Sequence, residues 1–326
     1  MSEPLEQAEM TLLETERTQP LSPARGVVPV TVVFLTFNEE ANLTECLEAV
    51  AGWGREIFIV DSGSTDTTLE IARRYGAQCF YHGFERHTRQ WNWALRHLPF
   101  SCEWAFCLDA DQRLTPELKH EVAALWQGET GGPPQEVGGY YVNRRQIFRG
   151  RWIKHGGYYP KPLLKLVRHR RAWCDENELL DSRFYVEGTT ARLRHDLIED
   201  NRKEDDISFW TAKHIRYAEL QAREELLRGD GLASWNLRPA FFGSPDQRSL
   251  WLRQLWYRHM PLHVRPWLYY FYRYFLRLGI LDGKQGFIFH FLQALWFRLL
   301  VDVKIDELRR AQAAERDRAS AQTGSG

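Results

Sequence analysis

Trp104-Ala-Phe-Cys-Leu-Asp-Ala-Asp111 is an apolar run that stops at two carboxylates. Aromatic and branched residues in an unbroken run of this length read as a buried strand. Asp109 and Asp111, one residue apart at its end, are hard oxygen donors of the kind that hold Mg2+ or Mn2+, and such an ion suits a diphosphate. In open α/β sheets ligands gather at the carboxyl ends of strands, where this pair would sit. Taken alone, the same residues also read as a strand followed by a helix with acidic residues at its start. The flanking chain weighs for the first reading.

Upstream, Val30-Thr-Val-Val-Phe-Leu-Thr36 is a second buried-type strand, broken at Phe37-Asn38-Glu39-Glu40. Leu43, Cys46, Leu47 and Val50 then follow helical spacing. Glu56 to Val60 is a strand running into Asp61-Ser-Gly-Ser-Thr-Asp66, a turn that can cap a helix from Thr67 to Tyr75. Gln78 to Tyr81 makes a short strand, and His87 to Leu98 a helix. Strand and helix alternate with short loops, which predicts an α/β fold with a doubly wound, mostly parallel sheet. The first strand is not followed by Gly-x-Gly-x-x-Gly, and the chain has no Gly-x-x-x-x-Gly-Lys-Ser/Thr, so dinucleotide-binding and P-loop sites are not expected.

Downstream, Thr115-Pro116-Glu117 starts a helix, with Pro in its first turn, that runs to Trp126. Two short strands follow, Gly139 to Asn143 and Pro162 to Arg168, separated by the basic, aromatic, Gly-rich segment Arg149 to Pro160. Lys154 and His155 in that segment could hold phosphate, or the segment is a solvated loop. The mixed charges of Glu199 to Asp206 read as a solvated face leading into a helix from Ile207 to about Leu227.

The whole chain bounds these readings. Its 326 residues suffice for one large domain or two modest ones, and a formal net charge of zero argues against a dedicated nucleic-acid binder. Five scattered cysteines without metal-ligand spacing imply reduced thiols and a cytosolic setting. The first residues lack a basic segment followed by an apolar one, so a secretory signal is not expected.

Four segments in this order and spacing carry a resemblance: Leu35-Thr-Phe-Asn-Glu-Glu40, Val60-Asp-Ser-Gly-Ser-Thr-Asp66, Gln90-Trp-Asn-Trp-Ala-Leu95 and Leu108-Asp-Ala-Asp111. From about Val30 to Ala222 the chain resembles the family 2 glycosyltransferases, inverting enzymes of GT-A fold with nucleotide-sugar donors. The likeness is nearest to the branch that builds lipopolysaccharide core and exopolysaccharide. The resemblance implies that Leu35, Phe37 and Glu39 line the nucleotide's base and ribose, and that Asp61 accepts a hydrogen bond from the base. It implies that Asp109 and Asp111 bind ribose and, through Mg2+ or Mn2+, the diphosphate. Gln112 stands where many relatives carry another acid, and Trp91 where they often carry Lys or Arg. Arg86 or Arg89 could then supply a diphosphate contact. His195 matches a recurrent family position near the donor, or makes a structural hydrogen bond.

An inverting transfer needs a carboxylate to deprotonate the incoming hydroxyl. The family places it in the segment that is Cys174-Asp-Glu-Asn-Glu-Leu-Leu-Asp181 in this chain. Glu178 is the choice, standing where relatives carry the acid of His-Glu; Asp175, Glu176 and Asp181 are its alternatives.

The last third is aromatic and basic. Trp267 to Leu281 and Gly286 to Val301 are rich in Trp, Tyr and Phe, and Arg273, Arg277 and Arg298 interrupt them. Neither run reaches the roughly 20 apolar residues a span needs. They read as two interfacial helices joined at Asp282-Gly283, or else as a helical cap on the domain. The expected organisation is a disordered tail over 1–28, a GT-A domain over 29–228, a membrane-associating helical region over 229–306 and a polar tail over 307–326. The expected partners are a nucleotide-sugar donor, a lipid-linked saccharide acceptor and the cytoplasmic surface of the inner membrane, with no nucleic acid. A soluble glycosyltransferase acting on a protein or small molecule, and a non-catalytic membrane-binding scaffold, are the rivals.

Overall fold

The computed structural model describes residues 27–128, 131–179, 182–229, 239–248, 250–252 and 260–323. The expected tail over 1–28 therefore lies almost wholly outside the described residues, as does Asp181. The chain divides into two compact units. The first holds the chain up to Gly150 with Pro160–Glu176 and Ser182–Lys203, and the second holds Arg151–Tyr159, Asn177–Asp181 and Glu204 onward. The boundary expected at 228–229 thus falls inside the second unit.

In chain order the strands are β1 (Val28–Thr36), β2 (Gly54–Asp61), β3 (Gln78–Tyr81), β4 (Trp104–Asp109), β5 (Gln112–Leu114), β6 (Val137–Phe148), β7 (Arg151–Trp152), β8 (Pro162–Arg168), β9 (Ala172–Cys174), β10 (Phe184–Val186) and β11 (Thr189–Glu199). The helices of the first unit are α1 (Leu43–Val50), α2 (Thr68–Arg74), α3 (His87–His97) and α4 (Pro116–Ala124).

The first unit is built on a sheet ordered β3-β2-β1-β4-β8-β6-β11-β5. Its β3-β2-β1-β4 half is parallel, because each crossover is made by a helix. From β4 the sheet turns mixed: β8 runs antiparallel to β4 and β6, β11 parallel to β6, and β5 antiparallel to β11. Alternation along the strands splits the core between two faces. Val32, Phe34, Ile59, Phe106 and Leu108 pack with Leu43, Leu47 and Leu118 on one face. Val33, Phe58, Val60 and Cys107 pack with Trp91, Ala94 and Leu95 on the other. All five cysteines are buried and free.

The helix expected at Thr115 forms as α4, with the Thr115 hydroxyl accepting from Leu118 N and Pro116 in the first turn. The short β5 was not expected, and neither was β11, which takes up the start of the supposed charged face.

In the second unit, α5 (Ile207–Gly229) packs Ala218 and Ala222 against Phe297, Val301 and Ile305. The aromatic end differs from expectation in two ways. A helix begins at Arg265, and the chain breaks first at Arg277–Leu278, where Leu278 takes φ 61°, and again at the expected Asp282-Gly283, where Gly283 takes φ 71°. From Gly279 helical segments follow one another over 40 residues to Arg318, a stretch long and apolar enough to cross a membrane by length and composition alone. The expectation that neither run was long enough to span counted each run separately. The residues that follow the second run, Asp302 to Arg318, are rich in charge, so they lengthen the helix without lengthening its apolar run.

Candidate active site

The site of the first unit starts from register. Asp61 on β2 pairs with Thr36 on β1, and Leu35 on β1 pairs with Asp109 on β4. Three parallel strands therefore end at one level, with two carboxylates on either side of β1. The loops after β1 and β2 are laced together. Asn38 N donates to Ser64 Oγ at 2.8 Å and Thr65 N to Asn38 Oδ1 at 2.8 Å. Glu39 N donates to Thr68 Oγ1 at 2.7 Å, and Thr67 Oγ1 to Glu40 Oε2 at 2.8 Å. Asn38 sits at φ 52°, a left-handed conformation that Asn tolerates better than most residues. Phe37 stands 56% exposed on this rim, while Leu35 is nearly buried beside Asp109.

Asp61 is fully buried and spends its acceptors inside the chain. Oδ1 accepts from Gly63 N and Ser64 N, and Oδ2 from Thr36 Oγ1 and Ser64 Oγ. A carboxylate has about four lone-pair sites, so what Asp61 does here is build the turn.

Asp109 has two nitrogen-bearing side chains beside it that the sequence did not announce. The buried Lys165 of β8 donates to Asp109 Oδ2 at 2.9 Å. His87, the first residue of α3, places Nε2 3.4 Å from Oδ1 and bonds Ser182 Oγ through Nδ1. Burial opposes the charge on Asp109, but Lys165 and then His87 outweigh it and hold the carboxyl well below the usual carboxylate range. Gln112 explains itself too: its Oε1 accepts from Asp109 N and its Nε2 donates to Glu199, which also binds Arg144. An acid at position 112 would face Glu199 with like charge.

Asp111 lies on the turn after β4 and accepts from Asn201 Nδ2 at 3.1 Å. Asn201 also accepts from Asn42, and Lys203 donates to Glu39 and to the Asn38 carbonyl. The run Glu199 to Lys203 is therefore a wall of the site and not the solvated face expected. Among the described residues no three His, Cys, Asp or Glu cluster as a ready metal cage. The donor chemistry still fits Mg2+ or Mn2+, since Mg2+ is commonly held by one or two carboxylates plus phosphate oxygens. Of the two carboxylates, Asp109 is held by Lys165 and Asp111 accepts from Asn201.

Arg86 and Arg89 both turn to Glu176: Arg86 Nη1 to its carbonyl at 3.4 Å and Arg89 Nε to its carboxylate at 3.2 Å. Asn92 pins the same segment, accepting from Cys174 N and donating to Cys174 O. His195 pairs with Glu121 on α4, Nδ1 to Oε2 at 2.9 Å, which is the structural alternative expected for it. Asp175 is buried, and only Glu176 of that pair is exposed.

In the second unit Glu178 is buried, and its neighbour Leu179 donates its N–H to the buried Glu224. Lys154 and His155 donate their backbone N–H groups to Asp282, and His155 Nδ1 lies 2.7 Å from Asp282 Oδ1. His155 is thereby committed to Asp282.

A parallel half-sheet ending in an acidic turn, beside two laced loops and extended by mixed strands, defines an α/β domain of GT-A type. Residues 31–177 match the family described as Glycosyl transferase family 2. The lipopolysaccharide core biosynthesis glycosyltransferase LpsC of Rhizobium meliloti is 28% identical over 177 residues, covering 51% of this chain and 61% of that protein. An uncharacterized glycosyltransferase of Rickettsia typhi is 30% identical over 99 residues, 30% of this chain and 32% of that one. The chain thus spans less than two thirds of the length of these curated relatives. Among solved structures, S. aureus TarS in complex with UDP aligns over 86% of this chain and 91% of its own, at 14% identity and TM-score 0.41. Glucosyl-3-phosphoglycerate synthase from Mycobacterium tuberculosis, in complex with Mn2+, UDP and glucosyl-3-phosphoglycerate, aligns over 65% and 83%, at 16% identity and TM-score 0.38. Residues 31–177 are thus similar to the family 2 glycosyltransferases.

Proposed function

We propose that the chain is an inverting glycosyltransferase. It moves a sugar from a nucleotide-diphosphate sugar to a lipid-linked saccharide, in the assembly of lipopolysaccharide core or exopolysaccharide at the cytoplasmic face of the inner membrane. The observation that carries this reading is the acidic turn Asp109–Asp111 at the carboxyl ends of the parallel half-sheet, flanked by the two laced loops. The name of the Rhizobium relative supports lipopolysaccharide core as the product class.

In this reading Phe37 and Leu35 flank base and ribose, Asp61 serves through the loop it builds, and Asp109 receives a ribose hydroxyl. Asp111 would hold Mg2+ or Mn2+, which supplies positive charge to the leaving diphosphate. Lys165 keeps Asp109 ionised and in one rotamer. Glu178 takes the proton of the acceptor hydroxyl as that oxygen bonds the anomeric carbon and the carbon–oxygen bond to the diphosphate breaks on the opposite face.

The test is transfer from a panel of nucleotide sugars, by the wild type and by Asp111→Ala. The variant is expected to keep its fold and to lose both transfer and metal-dependent nucleotide binding. A kcat within about tenfold of wild type, roughly 1.4 kcal/mol of barrier, would remove Asp111 from the site.

A further inference from the structure

The second unit carries an apolar edge that its own packing leaves bare. Trp267, Phe271, Leu276, Leu278, Leu281 and Phe287 are all exposed, Leu276 by 66% and Leu281 by 56%. They follow one another along the helix from Arg265, the break at Arg277–Leu278 and the start of the long helix. Exposed apolar clusters of this kind mark interaction surfaces, whereas scattered single residues do not.

The covering partner can be read from the chemistry around the edge. Arg277 and Lys284 stand exposed within it, and neither has an ion-pair partner among the described residues. Cations set among Trp, Phe and Leu suit an anionic lipid surface, because apolar side chains enter the acyl boundary while basic ones reach the headgroups. The edge is also held rigid. Asp282 accepts from Lys154 N, His155 N and His155 Nδ1, and Gly156 N donates to the Arg277 carbonyl at 2.8 Å. The His290 ring fills the space beside Gly156 and Gly279, where a Cβ would come within 2.0 and 2.5 Å of it.

The long helix does not read as a membrane span. Asp282, His290 and Asp302 are buried along it, and Asp302 is held by Arg265 and by His263 N. Phe297, Val301 and Ile305 on the same helix pack against α5. A span would have to present such a helix to lipid, where buried charge and a committed packing face are costly.

We infer that the turn Leu276–Leu281, with Trp267, Phe271 and Phe287, is the edge by which the second unit enters an anionic bilayer surface in-plane, without crossing it. The inference rests on the reading of a membrane-surface glycosyltransferase and adds where and how the chain meets lipid.

The test is co-flotation of the full chain with phosphatidylcholine–phosphatidylglycerol vesicles, comparing wild type with Leu276→Glu/Leu281→Glu. Both side chains are exposed, so circular dichroism and UDP binding should stay unchanged while partition falls by on the order of 100-fold. Partition within about threefold of wild type would overturn the inference. So would wild-type protein that stays with vesicles after alkaline carbonate extraction, since that marks a span. A wild type that dimerises through this edge and ignores vesicles would assign it to a second copy and overturn the lipid assignment. Vesicle binding without any nucleotide binding would uphold the edge and overturn only the glycosyl-transfer reading.

Discussion

Lys165 shows what one residue contributes to the acidic turn. Its ammonium is buried and sits 2.9 Å from Asp109. Removing one partner of a buried pair costs about 3–5 kcal/mol. The Asp109 side chain keeps 31% exposure, so solvent screens part of that and about 1–3 kcal/mol is expected for Lys165→Met. Urea unfolding gives the stability, and titration of the folded variant with whichever donor nucleotide the wild type binds should show weakened binding. Unchanged stability together with unchanged binding would make the contact incidental. Glu178→Gln tests the other end of the chemistry. The change preserves size, so donor binding should hold while transfer falls 10²–10⁴-fold. A larger loss at Asp175 or Glu176 would move the base along the segment. The sequence made Asp109 and Asp111 legible because a charge pair ending an apolar run is a local signal. Lys165 was hidden because its partner lies 56 residues away and a single Lys within Leu-Leu-Lys-Leu-Val looks like the solvent face of a strand.

Among the elements, α5 and the long helix carry a titratable contact of their own. His214 is buried on α5, stacked on Trp210 with centroids 3.6 Å apart. Its Nδ1–H donates to the Trp210 carbonyl, which leaves Nε2 to accept from Gln293 at 2.8 Å. Burial pushes His214 down to about 4, against the Trp210 carbonyl that favours the proton. Burial, and then Arg273, push His290 down to about 4 as well, while Asp282 opposes the shift. Between pH 4 and the ordinary value near 6.5 the unfolded chain binds more protons than the folded one. Stability should therefore be flat above about pH 6.5 and fall as pH drops towards 4, by up to about 3 kcal/mol for each group. Urea midpoints across this range should fall less steeply for His214→Phe than for wild type, and equal slopes would count against the assignment. Element boundaries were legible where a local signal existed, as at Thr115-Pro116. The earlier break at Leu278 was not, because a non-glycine residue at φ 61° leaves no mark in the sequence, whereas the glycine of Asp282-Gly283, at φ 71°, does. The run Glu199 to Lys203 was misread for a related reason. Its charges are paired with residues far upstream, such as Glu39 and Glu45, and charge pattern alone does not distinguish a paired run from a solvated one.

For the molecule as a whole, the two units interleave in sequence: Arg151–Tyr159 and Asn177–Asp181 leave the first unit's chain and are counted with the second. A domain read as one continuous stretch from 29 to 228 could not reveal this, because the contacts that define it are remote in sequence. The division has a consequence for any attempt to separate a soluble enzyme from an aromatic anchor by cutting after Gly243. Such a cut leaves α5 in place but removes Phe297, Val301 and Ile305, against which Ala218 and Ala222 pack. It also removes Asp282, which holds the backbone at Lys154 and His155, and Asp302. Each large side chain so lost withdraws roughly 1.5–3 kcal/mol of burial, an amount comparable in sum to the stability of a whole domain. The truncated chain is therefore expected to unfold in its remaining second-unit segments, bind a hydrophobic dye and melt with reduced cooperativity. Calorimetry and dye fluorescence on the full and cut chains measure this directly. A cut chain that melts in one sharp transition at the full-length temperature would mean that the aromatic end is dispensable to folding and acts as an anchor alone.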